Sequence, residues 1–201
     1  MKKMLVLSLY TLIVAGAMMI STSFAAEKSE FIATDQFNPL GLSPPCFTEP
    51  VPQSGELLSP PIIKCPGAAP TGDPGQPCPP GTRIHSRDGL VVSELTSDDP
   101  RVTGDMTVEL NSNLDANYEG PSWGTFRIDL DDDEGYWEGH WQGYREAVDG
   151  KWIGTINGQA KGYGGIVDGM KMHAEEQIEL CTPSPIVYVG TFEGRIIDPR
   201  K

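Results

Sequence analysis

The chain has 201 residues and a formal net charge of −13 at pH 7, from 28 acidic and 15 basic residues. A chain this acidic is repelled by the phosphates of nucleic acid and by anionic membrane surfaces, so neither is expected as a partner. The same charge favours solubility and is compatible with cations or cationic partners.

Residues 1–25 are typical of a cleavable signal peptide. Two lysines give a positive start, residues 4–20 are almost entirely apolar, and Ser23 and Ala25 are the small residues that a signal peptidase reads. A membrane-spanning helix needs about 20 apolar residues, which is more than this run provides. We therefore expect cleavage after Ala25 and a secreted or periplasmic protein without stable membrane insertion. The segment removed holds two lysines and no acid, so the mature chain would have a formal charge of −15.

Residues 26–82 form an arm that is rich in proline and poor in periodic pattern. Of the 18 prolines, 13 lie between Pro39 and Pro80. Paired prolines disfavour helix at the preceding residue, and the stretch from Gly72 to Pro77 has the composition of a turn. The arm is predicted to be extended or irregular, either packed on the following domain or acting as a linker, with a polyproline recognition strap as the alternative.

The cysteines predict disulfides rather than a metal site. All four, Cys46, Cys65, Cys78 and Cys181, follow the signal peptide, and an even number in an oxidising compartment favours two disulfides. Any full pairing joins Cys181 to the arm, but three pairings are open. No Cys-x-x-Cys or Cys-x-x-His spacing suggests zinc, and the acidic run 129–134 lacks the spacing of a calcium-binding EF-hand loop, so we expect no metal and no cofactor.

Residues 83–201 alternate between apolar and polar side chains, which is typical of β-strands with one face in a core. Turn residues separate the alternating runs, and no helical period is sustained. The runs are Met106 to Leu110, Phe126 to Leu130, Trp137 to Trp141, Met170 to Leu180 and Tyr188 to Ile196. We predict an all-β fold, an antiparallel up-and-down β-barrel of about seven or eight strands, with a two-sheet sandwich as the alternative.

Glycine-rich hairpins in this region resemble those of a known group of barrels. They include the stretch from Gly154 to Gly165, the motif Asp168-Gly169-Met170-Lys171, and Gly190-Thr191-Phe192-Glu193-Gly194. These hairpins resemble the allene oxide cyclase-like and dirigent-like barrels, and Trp123–Phe126 followed by Trp137–Trp141 is similar to secreted bacterial proteins of that shape. The resemblance covers roughly residues 83–198 and implies a β-barrel. Such barrels include enzymes and stereochemical guides, so the fold does not decide the function.

Glu176 is the most informative charged residue. Strict alternation places it on the apolar face with Met172 and Ile178, inside the barrel. A buried carboxylate costs several kcal/mol unless it is paired or protonated, and such a group has a raised pKa and can act as an acid or base. The alternatives are a β-bulge that turns Glu176 to solvent, or an ion pair with Arg127 or Arg195.

Three functions are open. The leading hypothesis is a small, largely apolar molecule bound in the barrel interior, with the candidate ligand-binding residues Trp137, Trp141, Met172, Tyr188 and Phe192. The second is a cofactor-free isomerase or cyclase in the same cavity, in which Glu176 is the acid or base and Arg127 and His140 assist it. The third is a structural or interaction protein whose barrel is filled by side chains.

Overall fold

The computed structural model describes residues 26–41, 50–73, 77–131, 134–148, 151–180 and 187–201. The predicted signal peptide, Cys46 and Cys181 lie outside these ranges. The strands are β1 (Glu27–Phe37), β2 (Glu56–Ser59), β3 (Ile62–Lys64), β4 (Ile84–Ser97), β5 (Gly104–Leu114), β6 (Gly120–Leu130), β7 (Tyr136–Val148), β8 (Lys151–Tyr163), β9 (Lys171–Leu180) and β10 (Tyr188–Asp198). Within the described ranges, no helix has the length and apolar character needed to cross a lipid bilayer.

The sheet closes into an antiparallel ring of eight strands. Neighbours follow chain order from β4 to β10, and β1 completes the ring by pairing with both β10 and β4. Ring closure leaves few strand edges exposed. The prediction of an all-β antiparallel fold with about seven or eight consecutive strands is confirmed.

The first ring strand comes from the segment that was predicted to be an irregular arm. In β1, Phe31, Ala33 and Phe37 are buried and face the interior. The alternation is disguised because Asp35 occupies an inward position, while Ile32 points outward and is 67% exposed. The sequence interpretation therefore set the start of the folded domain too late.

The rest of the described arm is attached to the ring through β4. Strands β2 and β3 pair with its first two thirds, whereas β1 pairs with its last residues. A disulfide joins Cys65 to Cys78, and these two residues pack with Ile84 and Leu114 in a small apolar cluster. The arm is extended, as predicted, and it is part of the sheet rather than a free linker.

One end of the ring, here called the closed end, is filled by side chains. Trp137 is fully buried there, and its indole N–H donates a hydrogen bond of 2.6 Å to the carbonyl oxygen of Arg101. Val102 and Val167, from the connections before β5 and before β9, are also fully buried in this core. Met172 packs in the same cluster.

The opposite end, here called the open end, is packed less completely. Leu110, Ile156 and Ile178 face inward by alternation, yet each stays partly exposed at the edge of the main core. Inward-facing side chains can be reached by water only where the interior opens to solvent. The interior is therefore accessible from this end.

Candidate functional site

Glu176 lies inside the ring, as the alternation predicts. Strand β9 pairs with β8 and β10 in continuous register, so no bulge reverses the direction of its side chains. The side chain sits between Ile156 and Phe192 on the neighbouring strands, and the residue is only 7% exposed. The alternative of a bulge at this position is wrong.

A second buried carboxyl, that of Asp35, contacts Glu176 from β1. Asp35 is 1% exposed, and its carboxyl group lies close enough to that of Glu176 for the two to share a hydrogen bond. Two carboxyl groups can form such a bond only when one of them carries a proton, because an ionised carboxylate is an acceptor only. We call these residues the Asp35–Glu176 pair.

Sequence reasoning missed Asp35 because its strand lies within the segment assigned to the arm. The signal that could have revealed it is the spacing Phe31, Ala33, Asp35, Phe37. At these four alternating positions Phe31, Ala33 and Phe37 are apolar, and only Asp35 is an acid.

Two hydroxyl groups complete the polar side of the site. Ser93 is fully buried on β4 and Tyr188 is 7% exposed on β10, and both lie beside Asp35. Nevertheless Asp35 Oδ1, Glu176 Oε1 and Ser93 Oγ are buried without a hydrogen-bond partner of good geometry among the described residues. Buried polar atoms are rarely left unpaired, so the two carboxyl oxygens mark a place suited to a hydrogen-bonding guest.

The environment keeps a proton on the Asp35–Glu176 pair. Burial raises the pKa of Glu176 well above its usual value, and the neighbouring charge of Asp35 raises it further. Burial also raises the pKa of Asp35, although its hydrogen bonds oppose that change. The pair therefore retains a proton to higher pH than an isolated carboxyl would, since two adjacent carboxylates in a low-dielectric interior cannot both ionise readily. Burial also raises the pKa of Tyr188 well above its usual value, so its phenol stays protonated.

A small cavity of about 50 Å³ lies between the pair and an apolar wall. That volume holds one or two water molecules, or a few heavy atoms of a ligand. The wall is mostly apolar and aromatic, and it reaches the partly exposed residues of the open end. Its members are Met106, Val108, Leu110, Phe126, Trp141, Ile156, Gly158, Ala174, Ile178 and Phe192, with Tyr188 beside the pair.

The predicted ligand-binding residues divide between the two ends. Trp141, Tyr188 and Phe192 line the cavity. Trp137 and Met172 are buried in the core of the closed end and are not part of the cavity lining. Alternation identified all five as inward-facing but could not give their height along the ring axis.

The two predicted helpers of Glu176 lie on the outer surface, which corrects that assignment. Arg127 forms a 2.6 Å ion pair with Asp129 and stacks over the ring of Tyr136 at 3.6 Å. His140 is exposed on β7 and pairs with Gln159 of β8. Both alternate with buried residues of their strands, so their side chains point away from the interior. Arg195, the other suggested ion-pair partner, is also exposed on the outside.

The outer face carries a broad polar groove. His140, Gln159, His173 and Arg195 form one cross-strand row over β7 to β10. These side chains are exposed or half-buried and can be hydrated, so they lack the unpaired buried atoms that distinguish the interior cavity. Within the described ranges, no group of three or more His, Cys, Asp or Glu side chains is arranged to hold a metal ion.

One cation, Arg145, faces inward near the open end. Its guanidinium lies 4.6 Å from the ring centre of Trp152, and its Nε and Nη2 atoms are buried without a partner among the described residues. Burial lowers the pKa of Arg145 to about 10, so it remains charged at neutral pH. The sequence offered only the inward alternation after Trp141 as a signal for this residue.

Fold and site together define a closed antiparallel β-sheet ring with a buried carboxyl pair beside a small, mostly apolar cavity. Comparison of the chain with protein-family models, with curated proteins and with solved structures found no match. The likeness to allene oxide cyclase-like barrels stays a prediction.

Proposed function

We propose that this protein is exported and binds a small, largely apolar molecule in the ring interior, with its polar part against the Asp35–Glu176 pair. The observation that carries the proposal is the cavity itself. Ligand sites are typically apolar recesses with a few convergent polar groups. This cavity joins aromatic walls to two buried carboxyls, each with an oxygen that has no hydrogen-bond partner among the described residues. The Cys65–Cys78 disulfide supports an oxidising compartment.

The cavity size limits how the ligand can bind. At about 50 Å³ it is smaller than the roughly 300–1,000 Å³ of sites that enclose a drug-sized ligand. Only a few heavy atoms reach the pair, and the remainder of a larger molecule extends past Ile156 and Ile178 toward the open end.

Xenon tests whether the interior takes up an apolar guest, because it occupies apolar protein cavities. We expect a saturable ¹²⁹Xe chemical-shift change with the wild-type protein and a much weaker one with Gly158→Ala, which places a methyl group in the cavity. Thr155→Ala, on the outer face of the same strand, is the matched control and should behave like wild type. No uptake by the wild-type protein would contradict the proposal and favour a filled ring with a structural role.

The shared proton of the pair favours acid–base catalysis as a second candidate, in the form of a cofactor-free isomerase or cyclase. A carboxyl group whose pKa is raised into the neutral range can donate and accept protons at working pH, and burial raises the pKa of Glu176 in that direction. Glu176→Gln separates the two candidates. It should abolish turnover of a substrate while leaving binding of apolar guests largely intact, whereas unchanged turnover would exclude Glu176 as the acid.

A further inference from the structure

The polar side of the cavity is built to accept hydrogen bonds. Among the described residues, its unpaired atoms are Asp35 Oδ1 and Glu176 Oε1, and both oxygens are acceptors whenever their groups are ionised. The side chains that interact with the pair are the hydroxyl-bearing Ser93 on β4 and Tyr188 on β10. Neither is a cation, and no described cationic side chain interacts with the pair.

Ionisation of either carboxyl therefore places a negative charge inside an apolar ring, beside the other carboxyl. An isolated buried charge is costly, and the environment reduces that cost by retaining the proton. A bound cation that donates hydrogen bonds would satisfy both carboxylates directly.

We propose that the ligand of this cavity carries a primary ammonium group, whose N–H groups donate to Asp35 Oδ1 and Glu176 Oε1 and replace the proton that the pair shares. This inference rests on the proposed function, because it requires a molecule to enter the cavity. The exchange conserves charge: one ammonium enters, one proton leaves to solvent, and the interior keeps the same net charge.

The walls and the surface suit such a ligand. Phe126, Trp141 and Phe192 line the cavity, and aromatic faces attract ammonium groups by cation–π interaction. The excess of acidic residues over basic ones, 28 against 15, raises the local concentration of cations near the protein.

The volume selects among amines. About 50 Å³ accommodates the ammonium nitrogen and the first one or two carbons, so the chain must be unbranched near the nitrogen. A quaternary ammonium is excluded because it is larger and has no N–H to donate. The expected ligand class is thus a linear primary amine whose tail points to the open end.

Isothermal titration calorimetry with n-propylamine and n-propanol tests this inference, because the two probes match in size and differ in charge. At pH 7 we expect the wild-type protein to bind propylamine at least tenfold more tightly. Titrations in two buffers of different ionisation enthalpy should reveal about one proton released per propylamine and none per propanol. The titratable groups at the site are Asp35 on β1, Glu176 on β9 and Tyr188 on β10, and the phenol keeps its proton.

Variants identify the source of the preference. Glu176→Gln should lose both the propylamine preference and the proton release, and Asp35→Asn provides a second test should Glu176→Gln fold poorly. Glu175→Gln changes the neighbouring, outward-facing carboxyl and should retain both properties.

The outcomes separate the two proposals. Equal binding of propylamine and propanol, or propylamine binding without proton release, overturns the amine inference but leaves the binding function. An equal loss of preference in Glu175→Gln overturns it as well, because general surface charge would then explain the effect. Failure of propylamine, propanol and xenon to bind overturns both.

Discussion

Gly124 and Gly158 flank Trp141 in one row across β6, β7 and β8, and both face the ring interior. A methyl group added at one of these positions would contact very different atoms from one added at the other. A Cβ at Gly158 would lie 3.3 Å from Cε1 and 3.7 Å from Cζ of Phe126, whereas a Cβ at Gly124 would lie 1.8 Å from the carbonyl oxygen of Glu109. Two changes of identical chemistry should therefore alter stability in opposite directions.

Gly158→Ala should stabilise the protein by about 1 kcal/mol. Replacing glycine where the backbone is not left-handed reduces the entropy of the unfolded chain, which contributes about 0.4–1 kcal/mol. Burying one methyl group in the cavity contributes about 0.8 kcal/mol. The close approach to Phe126 offsets part of this gain, because that ring must shift by a few tenths of an ångström.

Gly124→Ala should destabilise the protein by about 3 kcal/mol. The methyl group overlaps a backbone oxygen that cannot move without shifting β5, and overpacking of this kind costs about 1–3 kcal/mol. It would also lie 2.9 Å from the indole nitrogen of Trp141, which donates a 3.2 Å hydrogen bond to the same Glu109 oxygen. Loss of that bond adds about 1 kcal/mol.

Equilibrium unfolding in urea, followed by tryptophan fluorescence without reductant, measures both changes. The free energies of unfolding of the two variants should differ by about 4 kcal/mol, the sum of the separate changes. Thr155→Ala, on the outer face of β8, should lie close to wild type. Equal destabilisation by the two glycine substitutions would refute the reasoning, because it would mean that Gly158 faces a packed wall rather than a cavity.

Three further predictions concern the buried charges and the disulfide. The pKa of Glu176 in the folded protein is raised above its usual value of 4.5, so protonated Glu176 contributes stability below about pH 4.5 that is lost as the pH rises through the folded pKa. The wild-type free energy of unfolding should therefore fall relative to that of Glu176→Gln between pH 4 and 8, by about 1.4 kcal/mol for each unit of pKa shift. Parallel pH curves for the two proteins would contradict this. Arg145→Met removes a buried guanidinium whose Nε and Nη2 have no hydrogen-bond partner among the described residues. It should therefore leave the free energy of unfolding unchanged or raise it by about 1 kcal/mol at pH 7. A clear loss of stability in urea unfolding would contradict this. The double variant Cys65→Ala and Cys78→Ala removes a disulfide whose two cysteines are separated by 13 residues in sequence. It should lower the free energy of unfolding by about 3 kcal/mol and speed hydrogen exchange in β3. An unchanged unfolding midpoint would mean that the sheet alone holds the arm in place.

The ring from β4 to β10 could be predicted because apolar and polar residues alternate along this part of the chain and turn residues separate the alternating runs. The same alternation placed Glu176 inside correctly, since β9 runs without a bulge. Asp35 could not be predicted, because its strand carries an acid at an inward position and isoleucine at an outward one, next to a proline-rich stretch. Arg127 and His140 were selected by residue type, and their position on the strands already placed them on the opposite face.

The position of Asp35 also explains why a single chain segment does not reveal the site. The pair joins β1 to β9, and Ser93 on β4 and Tyr188 on β10 add two more strands. Such an arrangement depends on how the sheet closes, which local patterns do not encode.

Strand β1 lies between the last strand, β10, and the much earlier β4. The ring therefore cannot close until β10 is present, because the two pairings that close it, β1 with β10 and β1 with β4, join segments distant in sequence. Pairing of such distant strands is slow, because the entropy lost on loop closure opposes it. A chain of this topology therefore keeps its ring open until β10 has been synthesised. The pairing of β1 with β10 also places Glu27 beside Asp198. A circular permutant that links residue 27 to residue 198 and opens a surface turn should therefore still form the ring.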